Sequence, residues 1–357
     1  MRTVTFANSQ SSRFPRFSLL ARAALLLGAS AIANADVFLL PAPGNDVIGD
    51  IRTVPARDED TLIDIARQHD LGYDEIRAAN PAVDSWMPRA DTTVVLPKLY
   101  LLPNTPREGI VINVAEMRLY YYPKPKPGQP ATVETFPVSI GRGDWNTPIV
   151  MTRISGKVVD PSWTPPKSIK AEHAADGDPL PDVIKPGPDN PLGKYALRLT
   201  LPSYLIHGSN KEFGIGMQVT HGCMRLYPED IERLYRNVPI GTPVRIINQR
   251  YKAGWRDGVL YLEVHPALEG PHGEGGKTPM VVALTAATKD FPNYPVDWSQ
   301  VDTQDLESTG IPGPVGPARA GVIPAPPVAA DAPLAAPAEA EPVDPAAAET
   351  PLPVSAR

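Results

Sequence analysis

The chain has 357 residues, of which 42% are hydrophobic and 21% are charged; this apolar content is enough for two or three packed domains and excludes a wholly disordered protein. Its 34 Lys and Arg residues stand against 40 Asp and Glu, a net charge of −6, so the charge balance gives no sign of a nucleic-acid partner. A single cysteine excludes an intramolecular disulfide bond.

The N-terminal segment has the composition of an export signal. Four arginines and no acidic residue stand in the first 35 positions, an apolar run covers 23–33, and the run ends in Ala33-Asn34-Ala35. A basic start, an apolar core and a small-x-small exit site are typical of a secretory signal peptide, so 1–35 is predicted to be removed on export. The alternative is an uncleaved membrane anchor, for which this run is short, since a span needs about 20 residues.

Residues 50–98 are predicted to form a small unit of strand, helix, helix and strand. The strands are expected at 52–54 and 93–96. Between them, Asp60 and Asp74 are expected to cap two short helices, because a carboxylate just before an apolar helical stretch accepts hydrogen bonds from free backbone N–H groups.

This unit resembles the LysM module, a family that binds the glycan of peptidoglycan or chitin. The chain departs from the family's usual Gly-Asp-Thr-Leu by placing Glu59 before the aspartate. The resemblance implies glycan binding, and a structural spacer of the same shape is the alternative. The matching residues are Thr53-Val54, Asp60-Thr61-Leu62, Ile65-Ala66, Asn80-Pro81 and Val95-Leu96-Pro97.

The next segment, 104–248, is predicted to be rich in β-structure. A short helix is expected at 229–235, and a Pro- and Gly-rich excursion over 160–193 is too long for a plain connection, so we expect an ordered flap there. Runs of β-branched and aromatic residues predict strands at 110–114, 118–122, 132–140, 153–159, 195–199, 205–206 and 243–247.

Two further segments complete the chain. Residues 249–305 include a clear strand at 259–264 and are expected to wrap back on the preceding domain as an accessory segment. From 309 to 357, Ala and Pro dominate and aromatic residues are absent. Such a composition cannot offset the entropy of ordering, so 309–357 is predicted to be a disordered tail.

The only cysteine, Cys223, lies two residues after His221 and sixteen after His207. In an exported chain a lone cysteine is a candidate reactive thiol. A free thiol has a pKa of about 8.5 and is mostly protonated near neutral pH, so a nearby imidazole is needed to take its proton. Gly208 and Gly222 leave room for a substrate and for backbone N–H groups that can bind an oxyanion.

Two other interpretations of these residues stay open at this point. His207, His221 and Cys223 supply zinc-ligand atoms, although a single His-x-Cys pair with one more His lacks the paired spacing of common zinc sites. The histidines can also serve only to satisfy core hydrogen bonds. That reading is unfavoured for two histidines placed so close to the sole cysteine.

The pattern of His207, a spacer and Thr220-His221-Gly222-Cys223 resembles the signature of the L,D-transpeptidases, the YkuD-type cysteine enzymes of peptidoglycan. Further matching segments point to the exported Gram-negative branch, which includes the enzymes that attach Braun lipoprotein to the wall, and so imply the periplasm. They are Gly141-Arg142, Thr147-Pro148, Trp163-Thr164-Pro165-Pro166, Ala171-Glu172-His173 and the run 187–193. The implied fold class is mainly β (α+β), with a β-sandwich-like catalytic domain.

The resemblance implies a role for each site residue. Cys223 is the nucleophile and His207 the general base and acid, with the backbone carbonyl of Gly208 orienting the imidazole. His221 is expected beside the thiol, where it helps to shape the oxyanion site with the Cys223 N–H. Arg225 is a candidate anchor for a substrate carboxylate, because a guanidinium can bind one in a bidentate manner; a surface or helix-capping ion pair is the alternative.

Two aromatic residues, Trp163 and Tyr195, are expected to line the substrate cleft, with core packing as the alternative for at least one of them. No metal or organic cofactor is expected.

The implied reaction releases the terminal D-Ala from a tetrapeptide stem and transfers the diaminopimelate acyl group to an amine of a second stem or of an outer-membrane lipoprotein lysine. Carbapenems are expected to be covalent inhibitors. Rival functions are an amide hydrolase that uses the same cysteine, and a non-enzymatic protein that binds the wall through 50–98.

Overall fold

The computed structural model describes residues 36–273 and 278–319. The predicted signal peptide, 1–35, and residues 320–357 of the predicted tail lie outside the described residues. Within the described part of the chain, every helix is too short or too polar to cross a lipid bilayer.

The described residues contain six α-helices: α1 (Leu62–Gln68), α2 (Tyr73–Ala79), α3 (Lys167–Ala175), α4 (Pro228–Asn237), α5 (Thr278–Thr288) and α6 (Trp298–Glu307). The strands of the same residues are β1 (Asp36–Leu39), β2 (Val47–Gly49), β3 (Arg52–Pro55), β4 (Thr93–Leu96), β5 (Leu99–Leu101), β6 (Gly109–Asn113), β7 (Arg118–Tyr122), β8 (Thr132–Pro137), β9 (Ile140–Gly141), β10 (Val150–Val159), β11 (Tyr195–Leu199), β12 (Leu205–His207), β13 (Gln218–Thr220), β14 (Met224–Arg225), β15 (Pro243–Ile247), β16 (Tyr251–Arg256), β17 (Val259–Val264) and β18 (Gly313–Pro314).

One mixed sheet dominates the molecule. Its strand order is β1-β8-β7-β6-β15-β10-β11-β12-β14, and its neighbours are antiparallel except for the parallel pairs β6–β15 and β12–β14. The mainly β, α+β class is confirmed. Strand β10 pairs with β15 through residues 150–153 and with β11 through residues 154–159, with an irregularity between Ile154 and Gly156. Side chains from both halves of the sheet, such as Ile112 and Leu197, share one core cluster, which is consistent with the expected sandwich-like arrangement.

Both faces of this sheet are covered. Ile110 and Ile112 belong to the largest core cluster, together with residues of α4, whereas Val111 packs on the other face with residues of β2 and β5. Successive side chains of a strand point to opposite faces, so a strand that is apolar throughout must be buried on both sides. This explains why the runs at 110–114 and 118–122 do not alternate.

The unit at 50–98 contains β3, α1, α2 and β4 in the predicted order, and β3 pairs with β4. The predicted caps are wrong. Thr61, not Asp60, caps α1 through a reciprocal contact with Asp64, because the Asp60 carboxylate is held by the backbone and guanidinium of Arg57. Gly72 precedes α2 in the capping position, and Asp74 lies inside its first turn.

Two other local predictions need correction. The flap at 160–193 contains a nine-residue helix, α3, which its Pro- and Gly-rich flanks obscured. Helix α4 begins at Pro228, with Tyr227 as its N-cap, rather than at residue 229. Proline suits the first helical position because its missing N–H has no helical partner there.

The 50–98 unit is attached to the large sheet by charged contacts. Glu75 of α2 pairs with the buried Arg118 of β7 at 2.5 Å. From α1, Arg67 pairs with Glu212 at 2.6 Å and also contacts Glu229 at the start of α4. These ion pairs fix both helices of the unit against the sheet domain.

The same unit also contacts the connection between β12 and β13. The backbone N–H groups of Tyr73 and Asp74 donate to the carbonyls of Ile215 and Gly216, both at 3.1 Å. Gly216 has a φ of 74°, and a side chain at Gly72 would meet its Cα at 2.8 Å. Two glycines are therefore required where the segment leading to Cys223 lies on α2.

The accessory segment is longer than predicted. Residues 313–314 form β18, which pairs with β17, and Val315 is fully buried. The predicted start of the tail at 309 is thus wrong. Composition did not reveal this because the segment is ordered by one backbone pairing and one apolar side chain rather than by an apolar run of its own.

A buried ion cluster joins this segment to the large sheet. Lys252 of β16 lies 2.6 Å from Glu116, which follows β6, and 2.6 Å from Glu263 of β17. His265 is 2.6 Å from Glu263, and the Tyr120 hydroxyl donates to Glu116 at 2.8 Å. Buried charges of this kind are tolerated only when all partners are present.

Two buried carboxyl groups face each other where the 50–98 unit meets α4. The carboxyls of Asp70, just after α1, and Asp230 of α4 are both buried, and each is affected by the charge or hydrogen-bonding capacity of the other. Burial, and then the negative charge of Asp36, raise the pKa of Asp70 to about 6. Burial and the Asp70 charge raise the pKa of Asp230 as well. The folded state therefore favours a protonated pair.

We predict that Asp70→Asn stabilises the protein at pH 8 by about 1–3 kcal/mol, since each pKa unit is worth about 1.4 kcal/mol. A carboxyl whose pKa is raised on folding stabilises the fold below its unfolded value of 3.8 and loses that stability as pH rises through about 6. At pH 4 the substitution should have little effect. Asparagine also accepts the φ of 53° at this position. Urea unfolding at both pH values measures the difference.

Asp60→Asn is the matched control, and we expect it to change the free energy of unfolding at pH 8 in the opposite direction. The hydrogen bond with Arg57 lowers the pKa of Asp60, so its charge stabilises the fold at neutral pH, and its amide variant should be destabilised at pH 8. An Asp70→Asn protein that is no more stable than wild type at pH 8 would contradict the prediction.

Candidate active site

The site is built on the parallel pair of β12 and β14 at one edge of the large sheet. Ile206 pairs with Met224 and His207 with Arg225, and Ile206 and Met224 both lie in the largest core cluster. His207 and Arg225 therefore point away from that core. Cys223 directly precedes β14, so this pairing brings the backbone at Cys223 near that of His207.

The imidazole of His207 is buried and held in one orientation. Its Nδ1 lies 2.7 Å from the carbonyl oxygen of Gly208, and because a carbonyl only accepts, Nδ1 carries the hydrogen and the neutral ring keeps its lone pair on Nε2. Burial lowers the pKa of His207 to about 4, and the charge of Arg225 acts in the same direction. Near neutral pH the ring is therefore a neutral base.

The thiol of Cys223 is also held neutral at rest. Its Sγ donates to the carbonyl oxygen of Ser203 at 3.7 Å. Burial raises the pKa of Cys223, and a hydrogen bond with the backbone of Leu205 opposes this in part. A raised thiol pKa and a lowered imidazole pKa disfavour a resting thiolate–imidazolium pair, so proton transfer must accompany attack on a substrate.

The turn that carries Cys223 is closed by threonine hydroxyls. Thr220 Oγ1 donates to the Cys223 carbonyl at 2.6 Å, and Thr147 Oγ1 donates to the Gly222 carbonyl at 2.9 Å. Gly222 has a φ of 101°, and a side chain there would meet the ring of Tyr204 at 2.9 Å. Glycine is thus required beside the cysteine by both its backbone and its surroundings.

The ring of His221 contacts three residues from other segments. Its Nε2 lies 2.8 Å from Glu172 Oε2 of α3 and 3.2 Å from Arg142 Nη2. Arg142 and Glu172 also form an ion pair, and the ring of Trp145 packs edge-on at 4.9 Å between centroids. The predicted contribution of His221 to the oxyanion site stays a prediction, because these contacts describe how the ring is held rather than what it does to the thiol.

Sequence reasoning missed Glu172, Arg142, Trp145 and Tyr204 as parts of the site. The segments 141–142 and 171–173 were among those that carried the family resemblance. Nothing in their spacing, however, linked residue 172 to residue 221, since the contact depends on how the flap folds back.

Arg225 has no acidic partner within ion-pair distance among the residues that the structure describes. Its Nη2 donates to the carbonyl of Gly214 at 3.1 Å. Its buried Nε has no hydrogen-bond partner among the described residues. The ion-pair alternative for Arg225 is not supported. The side chain stays available as an anchor for a carboxylate.

The two predicted cleft aromatics differ in placement. Tyr195 stacks on Tyr235 at 4.8 Å, and its hydroxyl donates to Glu232 at 3.3 Å, so it packs against α4. Ala196, the next residue, pairs with His207; alternation therefore puts Tyr195 on the face away from the imidazole, and its predicted place in the cleft is wrong. The half-buried Trp163 pairs through its backbone with Ile184 inside the flap, and its role in the cleft stays a prediction.

The zinc interpretation gains no support from the geometry. Among the described residues, the group of three side chains close enough to share a metal ion is Glu116, Glu263 and His265, and none of the predicted site residues belongs to it. The ammonium of Lys252 already neutralises that group.

A buried neutral imidazole on one strand and a thiol directly before the neighbouring strand, beside glycines that leave room for a substrate, are typical of a cysteine enzyme that works through a covalent intermediate. Comparison with known proteins identifies the family of cysteine enzymes to which the chain belongs. A family model for the YkuD L,D-transpeptidase catalytic domain matches residues 107–246.

Relatives extend the match over most of the chain. The probable L,D-transpeptidase YbiS of Escherichia coli K12 is 38% identical over 83% of this chain and 97% of its own length. The probable L,D-transpeptidase YcfS of the same organism is 41% identical over 83% of this chain and 92% of its own. The chain belongs to the L,D-transpeptidase family and is an enzyme of that family.

Solved structures give a more distant similarity. An L,D-transpeptidase from Mycobacterium smegmatis is 18% identical with a TM-score of 0.30, over 39% of this chain and 58% of that chain. L,D-transpeptidase 3 from Mycobacterium tuberculosis is 21% identical with a TM-score of 0.29, over 43% of this chain and 66% of that chain. The family assignment rests on the sequence relatives.

We predict that alkylation of Cys223 by iodoacetamide rises about tenfold per pH unit between about pH 6 and pH 8, because the thiolate fraction does so below the pKa of a thiol. A stable ion pair would instead give a plateau at lower pH. The chain has one cysteine, so the mass of the intact protein reports this reaction alone. His207→Ala should keep the same slope, and a plateau below pH 7 that this variant abolishes would contradict the neutral resting pair.

Proposed function

We propose that this enzyme acts on the tetrapeptide stems of peptidoglycan, with Cys223 as nucleophile and His207 as general base and acid. The observation that supports this most directly is the β12–β14 register, which pairs His207 with Arg225 and so brings the strand that begins directly after Cys223 beside His207. The lone pair on His207 Nε2, left free by the hydrogen bond to Gly208, is suited to take the thiol proton.

In the proposed first step, Cys223 Sγ attacks the carbonyl carbon of the amide between diaminopimelate and the terminal D-Ala. The thiol proton passes to His207 as the C–S bond forms, and His207 returns it to the D-Ala nitrogen as the C–N bond breaks. The products are free D-Ala and a thioester on Cys223. The Cys223 N–H and neighbouring backbone donors are suited to the oxyanion that develops between them.

In the second step an amine attacks the thioester, gives its proton to His207, and forms a new amide as the thiol is regenerated. The acceptor is either a diaminopimelate of another stem, which gives a 3–3 crosslink, or the lysine of an outer-membrane lipoprotein. One amide replaces another, so the exchange requires neither ATP nor a cofactor. The flap at 160–193 is suited to keep water from the thioester.

Arg225 is proposed to bind a carboxylate of the stem. Its guanidinium lies on the face of His207, is partly buried, and has no acidic partner among the described residues. Burial lowers the pKa of Arg225, and a substrate carboxylate would offset that loss of hydration. This placement would hold the stem beside the thiol.

The remaining parts of the proposal concern location and attachment. The segment 1–35 is proposed to direct export to the periplasm, where peptidoglycan stems are accessible. The 50–98 unit is proposed to be a LysM-like module, which its strand, helix, helix and strand order supports. Whether it binds glycan or acts as a spacer is decided by binding of the protein to isolated sacculi.

We predict that Cys223→Ala lowers D-Ala release from purified tetrapeptide muropeptides by at least about 10⁴-fold, since loss of a nucleophile removes the covalent route. His207→Ala should cost about 10²–10⁴-fold, the usual contribution of a general base. Mass spectra of the products separate transfer, which forms a new amide, from hydrolysis, which only trims the stem. Unchanged D-Ala release by the alanine variant of Cys223 would overturn the assignment.

We also predict a covalent adduct between Cys223 and a carbapenem, because opening of the β-lactam ring by the thiol parallels the first acyl-transfer step. The intact mass should increase by that of the drug in the wild-type protein and stay unchanged in Cys223→Ala. His207→Ala should slow adduct formation by about 10²-fold or more. An adduct that forms equally fast without His207 would remove this residue from the proposed mechanism.

A further inference from the structure

The flap contributes a carboxylate to the segment that carries the nucleophile. Glu172, on α3, contacts His221 Nε2 through Oε2 at 2.8 Å, and its other oxygen, Oε1, is paired with Arg142. Arg142 Nη2 also lies 3.2 Å from His221 Nε2. One carboxylate thus stands between a guanidinium and an imidazole, and the imidazole belongs to the second residue before Cys223.

The position of the hydrogen on this ring follows from its partners. A guanidinium can only donate hydrogen bonds. The hydrogen bond with His221, followed by the charge of Arg142, lowers the pKa of Glu172, so Glu172 is an ionised acceptor. His221 Nε2 must therefore carry a hydrogen and donate it to Glu172. Arg142 Nη2, which lies close to the same nitrogen, is also a donor, and the negative charge of the Glu172 carboxylate between them offsets the repulsion of the two donors.

The ring is also fixed from its other sides. Trp145 packs edge-on against it at an interplanar angle of 76°. The backbone N–H of Arg142 donates to the carbonyl of Thr220 at 3.0 Å, so the same arginine holds the residue before the histidine. The next residue along the chain is Gly222, whose φ of 101° sets the direction of the chain at Cys223.

We propose that Glu172 is a positioning residue, which fixes the Nε2–H tautomer and the ring orientation of His221 and thereby couples docking of the flap to the geometry of the Cys223 turn. The expected effect on the rate of D-Ala release rests on the proposed function, whereas the expected effect on the His221 tautomer does not. When α3 lies on the site, the turn is ordered for attack; when α3 is displaced, the ring loses its acceptor and the turn is released.

A simple surface ion pair is the rival explanation, since Glu172 is partly exposed and such pairs add little to stability. The flap offers a matched control for it. Lys170, two residues away on α3, pairs with Asp182 at 2.5 Å, and this pair lies within the flap without touching His221. Asp182→Asn therefore removes a flap ion pair but leaves the His221 ring unchanged.

The test compares wild-type full-length protein with Glu172→Ala, Glu172→Asp and Asp182→Asn. In Glu172→Ala, Arg142 becomes the remaining polar partner of Nε2, and because it only donates, the neutral ring should switch to the Nδ1–H tautomer. Long-range ¹H–¹⁵N NMR of labelled protein reports the tautomer directly. Wild type and Asp182→Asn should show Nε2–H, and Glu172→Asp should restore it at least in part.

The kinetic expectation is a loss of about 100-fold in kcat for D-Ala release in Glu172→Ala, the cost of a small misplacement of a reacting group, with KM changed much less. Glu172→Asp should recover most of the loss, and Asp182→Asn should stay within about twofold of wild type. An unchanged tautomer in Glu172→Ala, or an equal loss of kcat in Asp182→Asn, would overturn the proposal.

The two proposals fail separately. If wild-type protein releases no D-Ala, the proposed function fails, and the NMR comparison still decides whether Glu172 sets the tautomer of His221. If Glu172→Ala does not fold, as judged by its unfolding transition, the Glu172→Asp and Asp182→Asn proteins carry the kinetic comparison. A Glu172→Asp protein that matches wild type in tautomer while Asp182→Asn loses activity would count against the proposal.

Discussion

The parallel pairing of β12 with β14 is the constraint on which the site depends. Parallel neighbours need a long crossover connection, so the chain between His207 and Cys223 must leave the sheet and return in a defined register. The helices of the 50–98 unit support that connection through Tyr73 and Asp74, which bind the carbonyls of Ile215 and Gly216. The N-terminal unit thus supports the segment that precedes the cysteine.

Burial sets the protonation states of His207 and Cys223, the proposed catalytic pair. The sheet edge lowers the pKa of His207 and raises that of Cys223, so the thiol is protected while no substrate is present. In the proposed periplasmic location such protection is useful, because thiolates are the form that oxidants attack. In the proposed mechanism the energy to form the thiolate comes from substrate binding, for which Arg225 and the flap are the proposed sources.

Much of this could be predicted from sequence, and the failures have physical causes. The strands could be predicted because β-branched and aromatic runs are local signals, and Cys223 and His207 could be proposed as site residues because a lone thiol near two histidines is rare. The cap at Asp60 was wrong because Arg57 competes for its carboxylate. Strand β18 and the contact of Glu172 with His221 depend on distant backbone pairing and on the fold of the flap, which no local pattern contains.

The buried ammonium of Lys252 has an evolutionary consequence. It neutralises Glu116 of the sheet domain from a segment that follows the last strand of that domain, and removal of one member of a buried pair costs about 3–5 kcal/mol. Recombination that replaced the sequence beyond residue 248 would leave the buried Glu116 carboxylate without its positively charged partner. The C-terminal segment therefore cannot be exchanged independently of the sheet domain. We expect Glu116 and Lys252 to be inherited together and to change together during evolution.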